Sequence, residues 1–142
     1  MTPEETNEKA LNRLIRAIRL SSGEFSLILV CANYSGLRDG IIKEIEALPE
    51  DVPEIRLPED AENIYAVIRE AGGDGVPYGI MVTGLESLRN PDSAFANMNQ
   101  LREEFRGLPF PVVLWGNDPV LDRFARTAPD FRTWTGSVIR FE

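Results

Sequence analysis

The sequence predicts an α/β fold: a three-layer sandwich around a five-stranded, mainly parallel sheet, preceded by an N-terminal helix. Three observations lead there. Apolar runs of strand length alternate with stretches whose apolar residues recur at helical spacing. The connections between them are short, as in sheets with helices on both faces. The first run, "FSLILV", is apolar throughout, which suits a central strand covered on both sides.

The elements follow in order. In "TPEE", Thr2 can cap a helix, Pro3 suits its first position and Glu5 can return a bond to the cap. Leu11, Leu14, Ile15 and Ile18 continue at helical spacing. Arg13, Arg16 and Arg19 fall on a different side, readable as a solvated face or as a docking strip for an acidic partner. Residues 21–24 form a turn into the first strand. Leu37, Ile41, Ile45 and Leu48 make the next helical stripe, ended by Pro49, and "EIRLP" is a short second strand. Asp60 is placed as the cap of a third helix, with Ile64, Val67, Ile68 and Ala71 inward and Gly72–Gly73 closing it. "YGIMVTGLESL" is a third strand running into a loop. Ser93 is placed as the cap of a helix carrying Phe95, Met98, Leu101 and Phe105, stopped by Gly107. "PFPVVLW" is the fourth strand, Asp118 and Pro119 open a helix with Val120, Leu121 and Phe124, and "SVIRF" is the last strand.

Composition narrows the function. The chain has 142 residues, read as one domain over 1–142, with 43% hydrophobic and 27% charged residues, a globular balance. The net charge of −8 argues against nonspecific binding along a nucleic-acid backbone, which takes its affinity from clustered Lys and Arg. There is no histidine and one cysteine, Cys31, so histidine-dependent triads, histidine-ligated metals and thiolate-rich zinc sites are excluded. The lone cysteine is read as a small buried residue in a reducing, cytoplasmic setting, and no apolar run is long enough to span a membrane.

In an open parallel sheet, ligands gather at the carboxyl ends of the strands. There the chain reads "CANYSGLR", "TGLE" and "GND". Laid on the phosphate-loop template G-x-x-x-x-G-K-[ST], Gly36 takes the second glycine, while Cys31, Leu37 and Arg38 stand at the first glycine, the lysine and the hydroxyl. Nothing replaces the lysine charge at Leu37. Arg38 can donate to an anion but cannot ligate magnesium. The third strand ends at Thr83, where an ATPase would place a magnesium-holding aspartate. Glu86 stands three residues on as a remnant acid or a solvated carboxylate, and Asn117 as a residue able to orient water or phosphate, or as a turn residue before Asp118. The candidate nucleotide-binding residues are therefore Gly36, Arg38, Glu86 and Asn117. No catalytic residue, metal ligand or cofactor is assigned. A receiver domain would need acids where Asn33 and Thr83 stand, and a dinucleotide fold would need more glycines than Gly36.

Taken together, "LILVCANYSGLRDGII", "IMVTGLESL", "PFPVVLW" and "APDFRTWTGSVIRFE" resemble the P-loop domain of STAND-type signalling ATPases, above all the degenerate, inactive branch in bacterial tetratricopeptide-repeat proteins. The resemblance runs over residues 11–142. It implies a P-loop NTPase-like five-stranded sheet and a cytoplasmic regulatory setting. It also implies a scaffold role in signalling or biological conflict, with protein partners such as repeat or effector modules, or a second copy of the chain. Only Gly36 carries over from the phosphate loop; Cys31, Leu37, Arg38 and Thr83 depart from the active pattern. The expectation is a non-catalytic domain acting through protein contacts. The alternative is a nucleotide-binding switch or weak NTPase using Arg38, Glu86 and Asn117.

Overall fold

Local capping sets the first element. The structure, a computed structural model, describes residues 2–72 and 75–142. The Thr2 hydroxyl accepts from the Glu5 N–H at 3.2 Å and the Glu5 carboxylate accepts from the Thr2 N–H at 3.4 Å, a complete capping box that opens α1 (Pro3–Leu20). Helix α1 leads into β1 (Leu27–Ala32), α2 (Ser35–Glu46), β2 (Glu54–Arg56) and α3 (Ile64–Gly72). Then come β3 (Ile80–Thr83), a 3₁₀ turn (Leu85–Ser87), α4 (Pro91–Gln100), α5 (Arg102–Arg106), β4 (Val112–Gly116), α6 (Asp118–Thr127), α7 (Pro129–Arg132) and β5 (Ile139–Phe141).

The five strands pair in parallel throughout, in the order β2-β3-β4-β1-β5. Alternation sends side chains to two separate cores. Leu27, Leu29, Cys31, Val112 and Leu114 face the layer of α3, α4, α6 and α7. Ile28, Val30, Ala32, Val113 and Trp115 face α1 and α2. The three-layer, all-parallel α/β sandwich is thus the expected one, and the apolar "LILV" run is buried on both faces.

Several boundaries differ from the sequence reading. Helix α3 is capped by Asn63, whose side chain accepts from the Ala66 N–H at 3.0 Å, and not by Asp60. Adjacent Asn is the stronger cap because its oxygen reaches the third helical N–H. Ala71 is exposed rather than inward, and Gly73, expected to close α3, lies outside the described residues. Helix α4 starts at Pro91, leaving Ser93 inside the first turn; proline at the first helical position outranks the nearby serine. The single helix expected up to Gly107 is broken at Leu101, where the Arg102 guanidinium takes the Asn99 carbonyl at 2.6 Å in place of a backbone donor.

Both sheet edges are shielded. Strand β2 is three residues long and bracketed by Pro53 and Pro58, which cannot extend a ladder. On the far side, Asn7 of α1 donates to the Glu142 carbonyl at 2.8 Å and accepts from its N–H at 2.7 Å, one side chain imitating the next strand. Phe141 stacks on Trp115, with centroids 5.7 Å apart. Gly84 has φ +91°, and a Cβ there would press on the Leu57 backbone at 3.2 Å, so this turn needs glycine.

The arginines of α1 do not form a free strip. Arg13 donates to the Ser137 hydroxyl at 2.7 Å and Arg19 grips the Glu50 carboxylate at 2.7 and 3.3 Å, because both arms reach back over the α1 layer. Arg16 alone of the three has neither a side-chain hydrogen bond nor an ion pair among the described residues.

Phe131 is fully buried against Phe105, Phe124 and Trp134, whereas Trp134 is half-buried at the rim with the Arg106 guanidinium 4.4 Å above its ring. Phe131→Ala is therefore expected to cost about 3–5 kcal/mol, the usual loss for emptying a large aromatic site, and Trp134→Ala less than half of that. Urea unfolding of the two variants checks the order, and a larger loss at Trp134 would contradict it.

Candidate functional site

Strands β1 and β4 lie side by side, and the helices that follow them leave on opposite faces of the sheet: α2 on the α1 side, α6 on the other. A crevice opens at such a point, and it is the usual place for a ligand in a parallel sheet. Here the chain's own side chains pair with one another, half-exposed. The Asp118 carboxylate accepts from the Arg140 guanidinium at 2.6 Å and from the Asn33 amide at 3.0 Å. The Cys31 thiol lies 3.5 Å from the same carboxylate and 3.6 Å from the Arg140 nitrogen. Three elements place these groups: Asn33 follows β1, Asp118 opens α6, and Arg140 stands opposite Cys31 in the β1–β5 register.

The N-terminus of α6 is spent by the same arrangement. The Asp118 N–H donates to the Asn33 side-chain oxygen at 2.9 Å, Pro119 has no N–H, and the Val120 N–H donates to the Asn117 side chain at 3.0 Å. Asn117, and not Asp118, is thus the cap of α6, and its oxygen is occupied. Gly116 makes room for this start: a Cβ there would sit 2.6 Å from a Val120 methyl.

The β1–α2 connection departs most from the phosphate-loop template. The strand continues through Ala32 and the helix begins at Ser35, so only Asn33 and Tyr34 lie between them. Gly36 is in the first helical turn and does not adopt a positive φ. Two residues are too few to wrap backbone N–H groups around a phosphate. Leu37 packs half-buried against the α1–α2 core. Arg38 is largely covered, with its guanidinium 3.2 Å from the neighbouring Asp39 carboxylate. The first N–H groups of α2 have no side-chain cap.

Glu86 and Asn117 come together; Gly36 and Arg38 do not join them. The first pair lines a cleft of about 660 Å³ beside the α6 N-terminus, whose wall also carries Arg89, Asp122, Arg123 and Arg126. Two of its arginines are engaged, Arg89 with Glu59 at 3.7 Å and Arg123 with Asp92 at 3.4 Å. Thr83, buried at the end of β3, donates to the Glu54 carboxylate at 2.6 Å. Among the described residues, no group of three or more Cys, Asp or Glu side chains is arranged to hold a metal ion, and no helix is long and apolar enough to cross a membrane.

The charges respond to this packing. Arg140, then Asn33, hold the Asp118 carboxyl below its ordinary value. Burial, reinforced by the Asp118 charge, pushes the Cys31 thiol up to about 11, so at neutral pH it is a thiol and a poor nucleophile. Sequence reasoning flagged Asn33, Cys31 and Asp118 only in other roles and passed over Arg140, which in "VIRF" reads as an ordinary outward strand residue.

Comparison with protein-family models and with curated proteins gives no match.

Two outcomes follow from the site. In native protein at neutral pH, Cys31 is expected to resist thiol reagents and to react fully once urea unfolds the chain; rapid native alkylation would contradict the raised pKa. The lowered Asp118 pKa stabilises the fold above the ordinary value of 3.8 and is lost as pH falls through the folded value. The stability gap between wild type and Asp118→Asn, read by urea unfolding, is expected to narrow from about pH 5 to about pH 2. A gap that stays constant would show that the ion pair contributes nothing.

Proposed function

We propose that this chain is a non-catalytic scaffold or adaptor domain of the degenerate STAND type, working through contacts with other proteins in a cytoplasmic signalling or conflict system. One observation carries the reading: at the carboxyl ends of β1 and β4, Asp118 is already paired with Arg140 and Asn33. A nucleotide would have to displace a carboxylate from a guanidinium and then find its own cation. The two-residue β1–α2 connection, the half-buried Leu37 and the Thr83–Glu54 bond support the same reading, since each stands where phosphate or magnesium would need a donor or an acid. Repeat or effector modules are the partners this reading names.

The cleft shared by Glu86 and Asn117 favours a second reading, a weak nucleotide-binding switch. Its three arginines are offset by Glu86, Asp118 and Asp122 in the same wall, which leaves little net attraction for a triphosphate.

Calorimetry with ATP and magnesium separates the two. The scaffold reading expects a dissociation constant no tighter than about 1 mM, equivalent to about 4 kcal/mol, and no phosphate release above background. Micromolar binding abolished by Arg38→Ala or Asn117→Ala would replace the scaffold with a switch.

A further inference from the structure

The outward side of α1 carries a charge pattern that the fold uses only at its ends, Glu5 in the capping box and Arg19 on Glu50. At about 100° per residue, Ala10, Leu14 and Ile18 share the buried side, and Glu5, Glu8, Asn12, Arg16 and Arg19 fall on the opposite, exposed side. Acids occupy the first half of that side and arginines the second. The helix dipole accounts for such a bias only within the first and last turns. Glu8 is a turn beyond the first and Arg16 lies before the last, so the dipole does not explain them. Neither makes an ion pair among the described residues.

Charge complementarity favours a partner surface that presents cations opposite the acids of this face and acids opposite its arginines. A second copy of α1, turned antiparallel about Asn12, does so. We propose that α1 pairs with α1 of a second copy across a two-fold axis, Glu8 of each against Arg16 of the other and Glu5 against Arg19. The contact is isologous, so each charged pair occurs twice. Lys9 then lies over Ile15, its aliphatic stem covering apolar surface. The partner's first turn lies over Leu20, which is 72% exposed and borders a groove of about 360 Å³ with Ile15 and Leu48. Arg19 is already held by Glu50, so Glu8 and Arg16 supply the selectivity. One helix of 18 residues is about 27 Å long. A single pair of that length is a small contact beside the roughly 1,200–2,000 Å² of stable complexes, so the dimer dissociates in the range of about 10 μM to 1 mM.

This pairing deepens the scaffold reading and rests on it, but it fails separately: nucleotide heat and self-association are independent measurements. Sedimentation equilibrium over a concentration series tests it. Arg16→Glu and Glu8→Arg each turn two attractive contacts into repulsive ones and are expected to weaken the dimer at least about tenfold. Mixed together, the two single variants should pair with each other, since one then presents only acids and the other only arginines at both positions. The double variant Glu8→Arg/Arg16→Glu should recover the wild-type constant. Circular dichroism confirms that these exposed substitutions leave the fold intact. A wild-type chain that stays monomeric at 1 mM, or single variants that fail to pair when mixed, would overturn the proposal.

Discussion

A sheet covered on both faces leaves its polar side chains few places to go. In β1, β3 and β4 nearly every side chain is buried in one of two apolar cores, so charge collects where the strands end. At the crest between β1 and β4, one carboxylate, Asp118, meets a guanidinium, an amide and a thiol from two other stretches of chain. Because Arg140 sits on the last strand and Asn33 on the loop after the first, this one carboxylate ties α6, β1 and β5 at a single point. It anchors the start of α6 and adds to the burial that keeps Cys31 a thiol.

The two helices that start at the crest have opposite fates. Helix α6 has no spare donor in its first turn: one N–H goes to Asn33, one to Asn117, and proline removes the third. Helix α2 keeps its first donors uncapped, yet the cation nearest in sequence, Arg38, is turned to Asp39. Anion binding needs donors and charge together. Here the charge of Arg140 stands beside the helix that is already satisfied, and the unsatisfied helix has no unpaired cation in its first turn.

How much could be read beforehand depended on distance along the chain. The capping box at Thr2 and the two-sided burial of "LILV" are local patterns, and both were legible. The starts of α3 and α4 were not, because several residues nearby could cap and the choice between them turns on a single side-chain angle or a proline. The phosphate-loop template failed at Gly36 for a related reason: spacing alone cannot tell that β1 runs on through Ala32 and that the helix has already begun at Ser35. The Asp118–Arg140–Asn33 network was out of reach. It joins residues 22 and 85 positions apart and exists only because β1 lies between β4 and β5, an order that regular alternation does not reveal.

The bond between Asn7 and Glu142 spans 135 positions of sequence. During synthesis from the N-terminus, α1 emerges before all five strands, and the strand it rests on is the last of the five. At about 5–20 residues per second, Asn7 waits roughly 7–27 s for Glu142, and until then the part of α1 that β5 covers stays open. The sheet cannot close in the order in which it is made: β1 must hold both flanks open until β4 and then β5 arrive. Late closure between distant segments is the kind of contact that slows folding, since the cost of closing the loop comes before the contacts that reward it.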